Sequence, residues 1–280
     1  MRGRRVLRCP NRKNVRLMVD EVQEAAEALL GVYRSMEPFD PITPRFADAP
    51  LSMAYEIALA QVQDWEKSGD TVKGHKVGLA SRAIQRQMGV DQPDFGHLTA
   101  TMFHPEHAPI AADTFIQPRI EPEIAFVLGK PLTGPGVTVA DAISAVDFVL
   151  PCLEIVDSRI RDWNIGIFDT IADNASSGGV LLGSRPASLS DVDVRLTGCN
   201  LHVNGQLIAT GGGGAVLGSP INALVWLANT VGPLGVTLEA GHVVLPGSMT
   251  KAVPIRPGDT IVATIGGLGS VTAIMEEDNR

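Results

Sequence analysis

Apolar residues recur at helical spacing in two segments near the N-terminus, residues 19–36 and 51–67, which are separated by a Pro-rich connection. Beyond Gly74 the pattern changes to short runs of Val, Ile and Leu divided by Gly, Pro and Asp. Such runs are typical of β-strands joined by turns. We therefore expect a pair of N-terminal helices followed by a sheet-dominated region that contains few helices.

Local signals place further elements in the β-rich region. Ser219 as an N-cap and Pro220 in the first turn precede the apolar sequence INALVWLANTV, which predicts a helix that begins there. The sequence GGLG at residues 266–269 predicts a tight turn between strands at residues 260–265 and 270–275. Together these signals indicate an α+β protein.

Two of the expected strands carry carboxylates among apolar residues. Glu121 and Glu123 lie in RIEPEIAFVLG, and side chains two residues apart in a strand project from the same face. Two carboxylates that close repel each other, and a hard divalent cation such as Mg²⁺ or Mn²⁺ relieves the repulsion because it prefers oxygen ligands. The alternative for this pair is a half-exposed strand with a solvated charged face.

Glu154 favours the metal interpretation. It lies in an almost continuous apolar run, residues 148–156, which is typical of a strand that is buried on both faces. An unpaired Glu is rare in such a strand. We therefore expect Glu154 to be a third oxygen ligand beside Glu121 and Glu123.

A second polar group lies upstream of these glutamates. Lys76 occupies a short expected strand in GHKVGLAS, and burial there would lower its pKa and allow it to exchange protons. The alternative is a solvated lysine at a strand end. Asp94, which follows Pro93, is either part of the same site or a turn residue.

Composition and charge exclude several classes of protein. The chain has 280 residues, of which 45% are hydrophobic and 19% are charged, so it is globular and can bury a large core. A net charge of −8 argues against nucleic acid as the main partner. We see neither an apolar stretch of membrane-spanning length nor a secretory signal, and we expect a cytoplasmic protein.

The cysteines, histidines and glycines show no recognised site. Cys9, Cys152 and Cys199 are odd in number and lack CxxC spacing, and we expect them to be buried, reduced thiols. The pair His104 and His107 lacks the helical HExxH spacing of a zinc peptidase. The glycine run at residues 211–214 fits neither GxGxxG nor a P-loop, and we expect it to permit positive φ angles or close backbone approach.

Three regions follow from these patterns. Residues 1–17 carry seven Arg or Lys and no acid, and we expect them to form a disordered basic tail. The tail is either a segment that binds anions or directs targeting, or the product of a start codon assigned too far upstream. Residues 18–72 form the helical N-terminal section. Residues 73–280 form the β-rich catalytic domain.

Several motifs together resemble the 2-keto-4-pentenoate hydratases, the 2-hydroxypenta-2,4-dienoate hydratases of aromatic meta-cleavage pathways. The resemblance runs from about Met18 to the C-terminus and keeps the order of the family's motifs. The motifs are GHKVGLAS, GVDQPDFGHL, QPRIEPEIAFVLG, LPCLEIVDSRIRDW, DTIADNASSGG, WLANTVGPLGVTLEAGHVVLPGS and GGLGSV.

The resemblance implies a fold, a cofactor and a set of site residues. The related fumarylacetoacetate hydrolases have a mixed β-structure of rolled, barrel-like sheets, and the hydratases bind Mg²⁺ or Mn²⁺ through three acidic residues. Motif matching assigns these ligands to the three glutamates already singled out, Glu121, Glu123 and Glu154. It also implies an acid/base role for Lys76, an active-site aspartate at Asp94 and a substrate-binding serine at Ser176.

The implied reaction adds water to 2-hydroxypenta-2,4-dienoate and gives 4-hydroxy-2-oxopentanoate, in aromatic or steroid ring catabolism. The resemblance also implies a homo-oligomer, with a downstream aldolase or a sister decarboxylase as its candidate partner. Departures from the family pattern at Ala80, Asn164 and Ser219 are expected at the rim of the pocket, where they bear on the exact substrate.

Three other functions stay open at this point. A 4-oxalocrotonate decarboxylase shares the acidic triad and must recognise a second carboxylate, for which Arg159 or Arg161 is a candidate. A non-catalytic partner subunit is disfavoured because the triad and Lys76 are all present. A hydrolase that cleaves a C–C bond would need a base for its water, and the sequence offers none that we can place.

Overall fold

The computed structural model of the protein describes residues 12–88 and 90–277. The helices are α1 Arg12–Ser35, α2 Leu51–Lys67, α3 Arg82–Met88, α4 Val139–Ala145, α5 Ile167–Ala172 and α6 Pro220–Val231. The strands are β1 Val72–Gly78, β2 Asp94–Thr99, β3 Phe103–His104, β4 Pro109–Ile110, β5 Arg119–Leu128, β6 Val146–Val156, β7 Ser177–Leu182, β8 Gly198–Val203, β9 Gln206–Gly212, β10 Val243–Leu245, β11 Val253–Pro254, β12 Thr260–Ile265 and β13 Gly269–Met275.

Helix α1 begins earlier than the sequence pattern predicts. Its backbone is helical from Arg12, whereas the apolar periodicity starts at Val19. Arg, Lys and Leu are good helix formers, and a helix that has started gains one hydrogen bond for each added residue without needing burial. The expected disorder of residues 1–17 is therefore wrong for residues 12–17. The rest of that segment, with Cys9, lies outside the described residues.

The two N-terminal helices pack on α5 rather than standing apart. Their buried face includes Leu29 and Ile57, and it meets Phe168 of α5 in one apolar cluster. The carboxylate of buried Asp169 accepts hydrogen bonds from the backbone N–H groups of Ile42 and Thr43 at 2.8 and 2.9 Å. Since α5 also leads into the Ser176 segment, the N-terminal section supports the region where the site is expected.

Two mixed sheets make up the β-rich region. The larger has eight strands in the order β2-β1-β10-β5-β6-β7-β3, with β11 paired to β5, and the smaller has five in the order β4-β13-β12-β8-β9. Their facing sides share an apolar core that includes Ile120 and Leu153 from the larger sheet and Ile261 and Val271 from the smaller. The predicted α+β class, with a rolled β core and a helical N-terminal section, is confirmed.

Helix α6 confirms the predicted start at Pro220. Ser219 occupies the N-cap position, although its side chain makes no capping hydrogen bond. The helical segment Gly213–Leu234, of 22 residues, is long and apolar enough to span a membrane, so the expectation of no such stretch is wrong. Leu224 and Leu227 of this segment are fully buried in the main core, as in the core helices of globular proteins.

The glycine run and the GGLG turn behave as predicted. A Cβ atom on Gly211 or Gly213 would collide with the backbone carbonyl of Met249 or Val194, respectively, so both glycines permit close backbone approach. The turn between β12 and β13 contains Gly267 with a φ of +79°. Cys152 and Cys199 are free and buried, as expected.

Candidate active site

The pairing of β5 with β6 brings the three glutamates together. The strands are antiparallel, with Glu121 directly opposite Glu154 and Glu123 opposite Cys152, so all four side chains share one face. One carboxylate oxygen from each glutamate lies within 4.8 Å of the others. Glu123 and Glu154 are 0% and 1% exposed, and Glu121 is half-buried. A solvated charged strand is therefore the wrong description of this face.

The environment of the triad disfavours three free carboxylates. Burial, followed by the charge of Glu154, raises the pKa of Glu121 to about 7. Burial also raises the pKa of Glu123 well above its usual range, and the pKa of Glu154 is raised despite the nearby Lys76 cation. A cation among these oxygens would reverse all three shifts, because it favours the charged form of each group.

The carboxylate oxygens of the triad that accept no hydrogen bond are suited to a hard metal ion. Oε1 of Glu123 and Oε2 of Glu154 are buried and accept no hydrogen bond from the described residues, while Oε2 of Glu123 accepts one from the N–H of Gly247 at 2.8 Å. Buried, unpartnered carboxylate oxygens are costly unless a cation binds them. Mg²⁺ and Mn²⁺ prefer such an all-oxygen donor set, so the residues fit the implied metal.

Lys76 lies at the edge of the triad. Strand β1 directs it to the same face as Leu245 of β10, and its Nζ lies 3.2 Å from Oε1 of Glu154, an ion-pair contact that lacks good hydrogen-bond alignment. Burial alone would lower the pKa of Lys76, but the charges of Glu154, Asp94 and the other two glutamates raise it above its usual value. The expectation of a lowered pKa is therefore wrong for this arrangement of charges.

Asp94 joins the same site from the neighbouring strand. It pairs with Gly78 across β1 and β2, and its Oδ2 accepts a hydrogen bond from Thr170 Oγ1 at 3.1 Å. Its Oδ1 is buried without a hydrogen-bond partner among the described residues. Burial raises the pKa of Asp94, and the charge of Lys76 opposes that shift. Asp94 is thus a buried carboxylate beside the lysine and not a surface turn residue.

Ser176 lies in a strained segment that lines the same cavity. The residues Asn174, Ala175 and Ser176 have consecutive φ angles of +52°, +51° and +51°, which non-glycine residues rarely adopt. The side chain of Asn174 exchanges two hydrogen bonds with the backbone of His97, which holds the segment against β2. The hydroxyl of Ser176 donates a hydrogen bond to Asp173 at 3.0 Å.

The two arginines considered for a second substrate carboxylate serve other purposes. Arg159 is fully buried, forms an ion pair with Asp173 at 2.5 Å, and donates to the carbonyl of Ser177 at 3.0 Å. Arg161 is exposed and donates to the carbonyl of Pro38 at 2.7 Å. Through these contacts with Asp173 and Ser177, Arg159 holds both ends of the strained segment. Neither Arg159 nor Arg161 lines the cavity at the triad.

A cavity of about 310 Å³ opens onto these groups. Lys76, Asp94, Glu121 and Ser176 line it together with apolar side chains such as Ile84. Two cations and one aromatic ring of the lining were missed in the sequence, namely Arg119, Lys251 and Trp163. Only Arg119 had a usable signal, because it lies two residues before Glu121 and so shares the face of the glutamates.

None of the three departures from the family pattern is itself a residue of this lining. Ser219 lines a different cavity, together with Val139 and Ile143. Ala80 is buried near Gly247, and Asn164 lies between two lining residues, Trp163 and Ile165, in the chain.

A histidine cluster occupies the opposite face of β1 and β2. His75 and His97 face each other across these strands, with ring centroids 4.9 Å apart, and His242 lies 5.8 Å from His75. Burial lowers the pKa of His97 to about 4, with a small opposing effect of Asn174, and lowers that of His75 well below its usual range. Both rings are therefore neutral in the folded protein at pH 7.

This cluster predicts a loss of stability in acid. A histidine with a folded pKa of about 4 and an unfolded pKa near 6.5 stabilises the fold fully above pH 6.5 and progressively less as the pH falls toward 4. Between pH 7 and pH 5 we expect the free energy of unfolding of the wild type to fall by about 2 kcal/mol more than that of His97→Gln. Urea titrations at each pH measure this difference. Equal losses of unfolding free energy in the wild type and in His97→Gln would contradict this prediction. The control is His202→Gln, which makes the same change in the smaller sheet.

Comparisons with known proteins agree with this arrangement. The family model described as "Fumarylacetoacetate (FAA) hydrolase C-terminal" matches residues 72–275. A 2-keto-4-pentenoate hydratase of Paraburkholderia xenovorans is 43% identical over 91% of this chain and 95% of its own length. A 2-hydroxyhexa-2,4-dienoate hydratase of Comamonas testosteroni is 41% identical over 89% and 95%.

A solved structure is similar over nearly the same range. The 4-oxalocrotonate decarboxylase from Pseudomonas putida G7, complexed with magnesium and adipate, has a TM-score of 0.88 and 35% sequence identity. The match covers 91% of this chain and 97% of that chain. The chain therefore belongs to the fumarylacetoacetate hydrolase family and, within it, to the 2-keto-4-pentenoate hydratases.

Proposed function

We propose that the protein is a metal-dependent hydro-lyase that adds water to 2-hydroxypenta-2,4-dienoate and forms 4-hydroxy-2-oxopentanoate, in the breakdown of aromatic or steroid rings. The observation that carries this proposal is the clustering of Glu121, Glu123 and Glu154 beside Lys76, at a cavity that Glu121 and Lys76 line. The similarity to curated hydratases over about nine-tenths of the chain supports it.

The three glutamates hold the metal in this proposal. Their buried oxygens lack other partners, and the structure of the decarboxylase relative contains magnesium. A bound Mg²⁺ or Mn²⁺ supplies a Lewis acid that stabilises negative charge on the oxygens of a 2-oxo acid. The carboxylates fix the position of the metal charge, and the surrounding apolar strands keep the local dielectric constant low.

The other residues of the cavity handle protons and orient the substrate. The net reaction removes the proton of the 2-hydroxyl group, places solvent-derived hydrogens on C5 and C3, and adds a hydroxyl group at C4. Lys76 holds a proton at Nζ beside the triad and moves protons to and from the substrate carbons. Asp94 offers its unpartnered Oδ1 to the attacking water or to Lys76, and Ser176 binds a substrate oxygen.

Decarboxylation of 4-oxalocrotonate is the second candidate, because the structural similarity to a decarboxylase is high. Arg159 and Arg161, which we considered for a second substrate carboxylate, do not line the cavity. A non-catalytic partner subunit stays a weaker alternative, since the triad, Lys76 and Asp94 supply the metal ligands and the proton-transfer groups that the reaction needs. We also propose that the enzyme is a cytoplasmic homo-oligomer. Light scattering after size-exclusion chromatography would test the oligomeric state.

One assay tests the proposed function. The purified protein is mixed with freshly generated 2-hydroxypenta-2,4-dienoate, with Mn²⁺ or with EDTA, and the loss of dienol absorbance is followed. We expect rapid loss with Mn²⁺ and little loss with EDTA. No loss with Mn²⁺, together with CO₂ release from 2-oxohex-3-enedioate, would assign the protein to the decarboxylases instead.

A further inference from the structure

One wall of the cavity, next to Glu121, is formed by an arginine stacked on an indole ring. The guanidinium carbon of Arg119 lies 4.2 Å from the ring centroid of Trp163, and both residues line the cavity. The indole Nε1–H donates a hydrogen bond to the carbonyl of Gln117 at 3.0 Å. Because the ring is tied to the backbone just before β5, it holds the guanidinium plane on one side and leaves its edge free.

Arg119 has a strong unused capacity for hydrogen bonding. It is half-buried, and among the described residues its side chain makes neither an ion pair nor a hydrogen bond. A guanidinium carries five N–H donors and stays charged at every ordinary pH. A partly desolvated arginine without an anion next to a reactive cavity is a recognition group for a ligand carboxylate.

The place of Arg119 in the sheet fixes which part of a substrate it can reach. It lies on β5 two residues before Glu121, so the two side chains project from the same face about 7 Å apart along the strand. Apolar residues such as Leu79 and Ile84 line another part of the same cavity. The anionic end of a small oxo acid therefore fits beside Arg119 and the triad, and its hydrocarbon tail fits toward the apolar lining.

We propose that Arg119 binds the C1 carboxylate of the substrate through its free guanidinium edge and thereby selects 2-oxo acids, with Trp163 as the residue that positions it. The proposal rests on the proposed function only in its choice of substrate. Lys251, the other newly found cation of the lining, is exposed and carries a point charge on a flexible stem, so it lacks this fixed planar geometry.

A binding measurement tests the proposal without turnover. Isothermal titration of the Mg²⁺-loaded protein with 2-oxopentanoate, a saturated analogue, is compared between the wild type and Arg119→Gln. We expect the dissociation constant to rise by about 10- to 100-fold, because a charge-assisted bidentate contact is lost. Arg119→Lys should recover part of the loss. The carboxylate-free analogue pentane-2,3-dione should bind the wild type and Arg119→Gln equally.

The controls separate recognition from a structural effect. Arg161→Gln makes the same change at an exposed arginine outside the cavity and should leave the affinity for 2-oxopentanoate unchanged. In the dienoate assay, Arg119→Gln should raise KM more than it lowers kcat. Trp163→Leu should raise KM as well, whereas Trp163→Phe, which keeps an aromatic face, should raise it less.

Two results would overturn the proposal. Unchanged binding of 2-oxopentanoate by Arg119→Gln would show that Arg119 does not bind the carboxylate. Equal loss of affinity for the oxo acid and for the dione would show that the substitution only disturbs the cavity. If the wild type fails to hydrate the dienoate while Arg119→Gln selectively loses the oxo acid, the proposed function fails and the carboxylate site stands.

Discussion

Replacing Lys76 with methionine lowers kcat for the dienoate by about 10²- to 10⁴-fold, the usual loss when a positioned acid or base is removed. Methionine fills most of the volume of the buried stem, so the fold is retained. The metal affinity should change little, because Lys76 contacts Glu154 without being a ligand. Stopped-flow measurement of the dienol absorbance gives kcat, and circular dichroism verifies the fold.

The same strand provides the control for this experiment. Lys73→Met makes an identical change three residues earlier on β1, where the side chain is exposed, and should leave kcat unchanged. Near-normal turnover by Lys76→Met would remove Lys76 from the mechanism. A variant that loses activity because it unfolds would be recognised by its circular dichroism spectrum, and Lys76→Gln would then replace it.

Replacing Glu154 with glutamine has the second large effect. It removes one charge and one anionic oxygen from the triad while keeping the shape of the side chain. Changes to groups that merely support a metal ligand cost 10- to 100-fold in affinity, so the loss of a ligand itself should weaken Mn²⁺ binding by at least about 100-fold. Activity should fall in parallel at limiting metal. Electron paramagnetic resonance of free Mn²⁺ measures the affinity directly.

Asp147→Asn is the matched control for Glu154→Gln. Asp147 lies at the exposed start of the same strand, β6, and its loss of charge should not change Mn²⁺ binding. Full Mn²⁺ affinity in Glu154→Gln would show that the metal binds elsewhere.

The sequence predicted the components of the site better than their interactions. The period of a strand placed Glu121 and Glu123 on one face, and the apolar run around Glu154 indicated a buried carboxylate. The register that sets Glu121 opposite Glu154 depends on long-range pairing, which local patterns do not encode. The resemblance to the hydratases supplied Ser176 through its motif, and it favoured a place in the site for Asp94 over a turn.

Where the sequence failed, the cause was a group contributed by another part of the chain. The sequence left open whether Lys76 is buried or solvated, and the direction of its pKa shift is set by carboxylates on β2, β5 and β6. Arg159 looked available for a substrate because its partner Asp173 is distant in sequence and close in the fold. Conversely, the contact of Arg119 with Trp163 joins residues that lie 44 positions apart in the chain, which local patterns do not encode.

Helix boundaries failed for a simpler reason. The start of α1 was placed where apolar periodicity begins, yet the helix begins earlier, at Arg12, in a segment that contains good helix formers such as Arg and Lys. The length of the apolar segment at α6 was also underestimated, since the short helical turns on either side extend it to 22 residues.

The most direct test of the central claim is proton NMR of the product that the Mg²⁺-loaded protein forms from 2-hydroxypenta-2,4-dienoate in D₂O. The account predicts 4-hydroxy-2-oxopentanoate with one solvent deuterium in its C5 methyl group, formed with Mg²⁺ and absent with EDTA. A dienoate that stays unchanged with Mg²⁺, or product formation that is equal with Mg²⁺ and with EDTA, would contradict it.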